Sequence, residues 1–241
     1  SAMEKYCILN ADQVTAPSHD MARVISICFS KGTKTIQVVP NPLDTNLFSP
    51  PSRAVSKKNV KILHVGRMER VKGIEVLIKA IPEVLARVPS AQFIFAGDCS
   101  DEYKKSLRKQ LTNENVKNEQ AIFMGSVGQD QIISLYQESD IAVVPTLNYE
   151  SFSYTCAQAM ACGLPLVASR VGGIPETVGS EGAAFLVEPG NPQELASAII
   201  TLCIDSSLRA AMGRSGRKRA EKYFSADVVA DQIVNIFSSL I

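Results

Sequence analysis

Between residues 60 and 187 the chain alternates two kinds of apolar pattern. Short, nearly continuous apolar runs occur at 60–65 (VKILHV), 92–96 (QFIFA), 121–124 (AIFM), 141–145 (IAVVP), 164–168 (LPLVA) and 184–187 (AFLV). Runs without polar alternation are what strands buried on both faces require. The segments between them carry helical spacing. In the clearest, Ile74, Leu77, Ile78, Ile81, Val84, Leu85 and Val88 form one apolar stripe, the i, i+3, i+4, i+7 signature of a helix packed on one side. Pro82 conflicts with an unbroken helix there and predicts a kink or a fresh turn. Strand and helix in alternation predict a parallel sheet covered on both faces, an α/β, doubly wound fold.

The two ends break this rhythm. A weak strand at 13–17 (QVTAP), a short helical stretch and a strand at 35–40 (TIQVVP) come first. They look like the tail of another domain. The Pro-, Asn- and Ser-rich segment NPLDTNLFSPPSRAVSKKN, residues 41–59, then reads as a linker. Ser1-Ala2-Met3 reads as the remnant of a cleaved tag and is set aside. At the far end Val229, Ile233, Ile236, Phe237, Leu240 and Ile241 form an apolar helical stripe, with Ser225 at the N-cap position. The domain reading is therefore 4–45 as tail and linker, 46–224 as the main domain and 225–241 as a separate closing helix.

Composition narrows the function classes. A length of 241 residues with 46% hydrophobic residues suffices for a full core. A net charge of +1 argues against a dedicated nucleic-acid binder. The six cysteines, at 7, 28, 99, 156, 162 and 203, include no CxxC pair, and only His19 and His64 could join them as soft ligands. No metal site is expected; scattered free thiols in a reducing, cytoplasmic compartment are. No run of 18 apolar residues and no secretory signal pattern occurs. The basic cluster Arg214, Arg217, Lys218 and Arg219 reads first as a solvated helix face, with peripheral contact to an anionic membrane surface as the sharper alternative. His64 lies inside a strand and reads as a core histidine, and Met160 as core packing.

Ligands of open α/β sheets sit beyond the carboxyl ends of the strands. After the run 60–65 comes GRMERVKG, residues 66–73, which puts Arg67 and Lys72 between flexible glycines at 66 and 73, just before a helix. Two cations there make a seat for phosphate oxygens. The order of glycines and lysine is not that of a P-loop, and GSVGQ (125–129) lacks the third glycine of a dinucleotide fingerprint. After 141–145 stands Glu150, a lone carboxylate; after 164–168 comes SRVGGIPE, ending at Glu176. An anionic, hydroxyl-rich ligand would suit these groups.

Taken together, VVPNPLDTNLFSP, ILHVGRMERVKGIEVLIKAI, FIFAGD, IFMGSV, ESFSYTCAQAMACGLPLVASRVGGIPETV and ADVVADQI occur in one order across most of residues 35–240. The chain resembles the C-terminal, donor-binding half of a retaining glycosyltransferase of the GT-B fold, family 4. The resemblance implies a nucleotide-sugar donor, no metal or other cofactor, and a preceding acceptor-binding domain onto which the last helix crosses back. It also implies roles. Arg67 and Lys72, with Gly66, match the group holding the donor diphosphate. Glu150 matches the first acid of an EX7E motif that binds sugar hydroxyls. The backbone around Phe152, Ser153 and Tyr154 matches the phosphate loop, and Val127 the nucleobase contact. The second acid of EX7E is replaced by Gln158, whose carbonyl can still accept from ribose hydroxyls without the strength of a carboxylate.

In such a transfer Arg67 and Lys72 would stabilise charge developing on the leaving diphosphate, and Glu150 would orient the sugar. A glycosidase would need two carboxyl groups about 5–10 Å apart. Glu150 has no neighbour in sequence, and Glu176 reads as a structural or sugar-side contact. Two other readings stand beside transfer: a non-catalytic nucleotide-sugar-binding domain, motivated by Gln158, and a nucleotide-sugar epimerase on the same architecture.

Overall fold

The computed structural model describes residues 2–29, 35–51 and 59–240. All six predicted apolar runs are strands of one sheet: β3 (Lys61–Val65), β4 (Gln92–Ala96), β5 (Ala121–Gly125), β6 (Ile141–Val144), β7 (Leu166–Ser169) and β8 (Ala184–Val187). Their order is β5-β4-β3-β6-β7-β8 and every pairing is parallel. The chain thus starts in the middle, winds outward one way, returns and winds the other. The reversal between β3 and β6 sends the helices that follow them, α3 (Ile74–Arg87) and α6 (Tyr154–Ala161), to opposite faces and leaves a crevice at the strands' carboxyl ends.

Two apolar clusters cover the faces. One joins α3 (Ile74–Arg87), α4 (Asp101–Asn113) and α8 (Pro192–Ile204) to Ile62, Phe93, Phe95 and Val143. The other joins α6 (Tyr154–Ala161), α7 (Ile174–Val178) and the end of α9 (Ser206–Phe224) to Leu63, Ile94, Val144 and Ala168, with α5 (Gln129–Glu138) adding Tyr136. Along α3 the predicted stripe is buried at Ile74, Leu77, Ile78, Ile81 and Val84. Each such side chain contributes about 1.5–3 kcal/mol relative to exposure. The helix runs through Pro82 without a break, because this packing outweighs one missing backbone bond.

The amino-terminal part holds α1 (Ala2–Asn10), β1 (Thr15–Ala16), α2 (His19–Cys28) and β2 (Gln37–Val38), with β1 and β2 paired in parallel. No helical pattern was read over α1, whose weak amphipathicity leaves no stripe to find; Ala2 and Met3, set aside on sequence grounds, lie in it. The expected linker is a packed strap over residues 41–51: Leu43 and Phe48 are 5% exposed within the second cluster. Leu43 N–H donates to Phe224 O at 2.6 Å, and Ala226 N–H to Leu43 O at 3.1 Å. Residues 52–58 of that segment lie outside the described residues.

Two of the clustered basic side chains turn inward, which corrects the picture of a solvated face. Arg217 Nη1 donates to the carbonyls of Thr45 (2.8 Å), Phe48 (2.9 Å) and Ala161 (2.8 Å), clamping the strap to α6. Arg219 donates to Thr177 O and Glu176 O and pairs with Glu181. Arg214 and Lys218 remain exposed. On α10 (Ala226–Ser238) Val229 is buried, whereas Ile233 and Phe237 are exposed, as is Leu240 just beyond it. Ser225 stands at the cap position without making a side-chain cap bond, and Ile241 lies outside the described residues. No single helix among the described residues is long and apolar enough to cross a membrane.

Candidate functional site

The crevice between β3 and β6 is built by the two loops that leave those strands. From β3 the chain passes Gly66 and Arg67, forms a 3-10 turn at Arg70–Lys72 and enters α3 through Gly73. Gly73 has φ +72°, and a Cβ there would stand 1.8 Å from Pro145 O, so glycine alone lets the two loops meet. The Val71 carbonyl accepts from the N–H groups of Leu147 (2.9 Å) and Asn148 (3.2 Å). Farther back, Gly66 N–H donates to Ala96 O at 2.9 Å and Met68 N–H to Asp98 O at 2.8 Å. The first pair of bonds fixes the turn against the loop after β6, the second against the end of β4 and the loop after it.

That fixation sets Lys72 opposite Glu150. Lys72 Nζ donates to Glu150 Oε1, with side chains 31% and 22% exposed. Together with His64, Gly66, Arg67, Thr146, Phe152, Ser153, Tyr154 and Thr155 they line a cleft of about 270 Å³. Ser153 caps α6, its hydroxyl accepting from Cys156 N–H at 3.3 Å. The N–H groups of Tyr154 and Thr155, first in the helix, find no acceptor among the described residues. A helix start with free N–H donors beside a lysine favours an anion. Arg67 lines the same cleft, but its side chain is 72% exposed and pairs with Glu69 at 2.9 Å. It must rotate inward to meet a ligand.

His64 floors the cleft. Nδ1 lies 3.1 Å from Val143 O, so that nitrogen carries the proton and Nε2 the lone pair. Burial, then the nearby Lys72 charge, pushes its pKa down to about 4 against the bond to Val143, and Nε2 has no partner among the described residues. The sequence placed His64 in the core; its contribution to the cleft wall was not read, because strand alternation says nothing of what stands above a strand's last residues. Met160 is fully buried, as expected.

The remaining sequence candidates sit elsewhere. Val127, on the loop from β5 to α5, packs against the second apolar cluster and does not line the cleft. Gln158 lies one turn down α6, where its Oε1 accepts from the Tyr136 hydroxyl at 3.4 Å, so part of its acceptor capacity is used internally. The Glu176 carboxylate accepts from the backbone N–H groups of His19 and Asp20. It is thereby occupied with α2 and is no partner for an acid/base pair with Glu150. A second cleft of about 530 Å³ adjoins the first across Arg67 and is lined by Arg70, Asp98, Ser100 and Tyr103.

Comparison with known proteins agrees with this geometry. The family described as glycosyl transferases group 1 matches residues 48–219. The chain is 30% identical to a D-inositol 3-phosphate glycosyltransferase of Corynebacterium jeikeium over 98% of its own length and 59% of the relative's. It is also 30% identical to a GDP-mannose-dependent mannosyltransferase of Corynebacterium glutamicum acting on a monoacylated phosphatidylinositol monomannoside, over 85% of this chain and 56% of that one. It therefore spans a little over half the length of these curated relatives. Among solved structures, sucrose-phosphate synthase of Thermosynechococcus elongatus superposes with a TM-score of 0.85 at 26% identity, over 99% of this chain and 61% of that one. Anabaena HepE, solved with UDP and glucose, gives 0.85 at 27% identity, over 99% and 68%. The architecture is that of the Rossmann-like domains of GT-B glycosyltransferases. A switch-point crevice floored by β3 and β6, on a sequence matched along most of its length, makes this chain a member of the glycosyl transferases group 1 family.

Proposed function

We propose that the chain is the donor-binding part of a metal-independent, retaining glycosyltransferase of family 4, holding a nucleotide-diphosphate sugar at the β3–β6 crevice. The observation that carries this reading is the pairing of Lys72 with Glu150 across the switch point, beside the free N–H groups of Tyr154 and Thr155. A diphosphate takes the lysine and the helix start; a sugar takes the carboxylate. Each binding group is held by the other until the ligand, carrying both complements, replaces the pair.

In the transfer step Lys72 and the inward-turned Arg67 stabilise the negative charge that grows on the diphosphate as the glycosidic bond breaks. Glu150 accepts hydrogen bonds from sugar hydroxyls and orients the anomeric carbon. Gly66 lets the backbone approach the phosphates and the backbone at Phe152, Ser153 and Tyr154 meets their oxygens; we assign Val127 to the base and Gln158 to the ribose, both outside the cleft that holds Lys72 and Glu150. We assign acceptor recognition to sequence beyond these 241 residues, in keeping with the longer relatives, and the exposed face of α10 to contact with that part. The six cysteines are free, which suits a cytoplasmic setting.

Calorimetric titration of the chain with UDP, GDP and ADP, repeated on Arg67→Ala, tests the reading. One nucleotide binds, and the substitution weakens it by about 1–3 kcal/mol, as loss of a charged hydrogen bond predicts. Binding of none overturns the assignment. A second reading, a donor-binding domain without transfer, draws on Gln158, whose amide is engaged by Tyr136. It predicts donor binding with no transfer by the full-length protein.

A further inference from the structure

Glu176 acts on the helix that precedes the main domain. Its Oε2 accepts from His19 N–H at 2.6 Å and its Oε1 from Asp20 N–H at 2.7 Å. These are first-turn donors of α2, where unpaired N–H groups and the helix dipole favour an anion. Behind it, Arg219 Nη2 donates to the Glu176 carbonyl at 2.6 Å. Ser18 caps the same turn: its hydroxyl, 2% exposed as a residue, accepts from Met21 N–H at 3.1 Å and donates to Ser151 O at 2.7 Å.

Ser151 follows Glu150, whose own carbonyl accepts from Gly173 N–H at 2.7 Å. Both carbonyls that follow the Glu150 Cα are thus held, one from α2 and one from the loop after β7. The three segments meet without spare room: a Cβ on Gly173 would lie 2.3 Å from Ser151 O and 2.9 Å from Ser18 Oγ. The Tyr149 hydroxyl adds a longer contact, 3.7 Å to Met21 Sδ.

We propose that Glu176 and Ser18 are positioning residues for Glu150, the first by fixing the start of α2 and the second by fixing the loop to it. Gly173 holds the peptide plane that follows the Glu150 Cα and Ser18 holds the next one, which anchors the backbone from which the Glu150 side chain leaves, and Lys72 defines where it ends. The sugar-binding carboxylate is therefore set by α2 as much as by the sheet. This rests on the reading of Glu150 as the sugar contact. It goes further in making α2 part of donor selectivity.

The test compares each nucleoside diphosphate with its sugar conjugate: UDP with UDP-glucose, GDP with GDP-mannose and ADP with ADP-glucose. Titrations use the unsubstituted chain, Ser18→Ala and Glu176→Gln, the last keeping shape while offering one acceptor for two N–H donors. The unsubstituted chain binds one conjugate more tightly than its diphosphate. Both variants weaken that conjugate by about three- to tenfold, the range for one lost hydrogen bond, and shift the bare diphosphate less than about twofold. Amide exchange at Gly173, read without ligand, is faster in both.

Equal weakening of diphosphate and conjugate, or unchanged affinity for both, overturns the inference and leaves the donor-site reading standing. So does a sugar that adds nothing to the affinity of the unsubstituted chain. Absence of all nucleotide binding overturns the donor-site reading, and unchanged exchange at Gly173 then overturns the mechanical link as well.

Discussion

Lys72 and Glu150, 78 positions apart in sequence, meet across the gap between β3 and β6, each partly open to solvent. Neither strand directs its own residue there alone. The Val71 carbonyl, held by the N–H groups of Leu147 and Asn148, brings the lysine turn to the glutamate loop.

Glu150→Gln removes the negative partner that holds Lys72 and leaves the lysine free for phosphate. Affinity for the bare nucleoside diphosphate should hold or rise, while affinity for the nucleotide sugar falls by about 1.5–3 kcal/mol, the worth of hydrogen bonds to a charged group. Paired calorimetric titrations read both. Parallel loss of both ligands would place Glu150 elsewhere than at the sugar.

Lys72→Met should weaken the diphosphate by about 1.5–3 kcal/mol and flatten the dependence of affinity on salt. Titration at low and moderate ionic strength checks this. An unchanged salt dependence would mean that the lysine does not face the phosphates.

Gly73→Ala should destabilise the chain by about 2 kcal/mol or more, through a strained positive φ and a Cβ placed against the Pro145 carbonyl. Urea denaturation followed by circular dichroism measures it. A loss below about 0.5 kcal/mol, the usual scale of a surface change, would show that the two loops separate freely.

Stability should fall in mild acid because of His64. Its folded pKa of about 4 lies below the unfolded value near 6.5. The unfolded chain therefore takes up the proton first, and stability is lost as pH falls from about 6.5 towards 4. At pH 5 this amounts to about 2 kcal/mol. His64→Phe should abolish that part of the slope, which denaturation at pH 7 and pH 5 would reveal; parallel losses in both proteins would assign the slope to other groups.

Arg217→Ala should cost about 3 kcal/mol, since three carbonyls of the strap and α6 lose one charged donor. Arg214→Ala, on the exposed side of the same helix, should stay within about 0.5 kcal/mol. Melting curves of the two variants separate a structural clamp from a surface charge.

The sheet was legible because strands buried on both faces leave uninterrupted apolar runs, and α3 because one buried stripe repeats with the helical period. Pro82 misled only as to a break, since a local rule yields to packing along a whole stripe. The strap at 41–51 was missed for the opposite reason: Pro, Asn and Ser mark turns, and turns do not reveal that Leu43 and Phe48 between them are buried. Basic residues three and two apart on one helix looked alike in sequence, yet Arg217 and Arg219 turn inward while Arg214 and Lys218 do not.

The sequence by itself determined the α/β class, the strand order of appearance and the residue types that end each strand. Those follow from local periodicity and from the chemistry of single side chains. Only the tertiary structure decided which strand ends are neighbours, that Lys72 faces Glu150, that Gln158 is engaged by Tyr136 and that Glu176 serves α2. Those relations join residues far apart in the chain, and they are set by sheet order and by backbone hydrogen bonds between loops, neither of which leaves a periodic mark in the sequence.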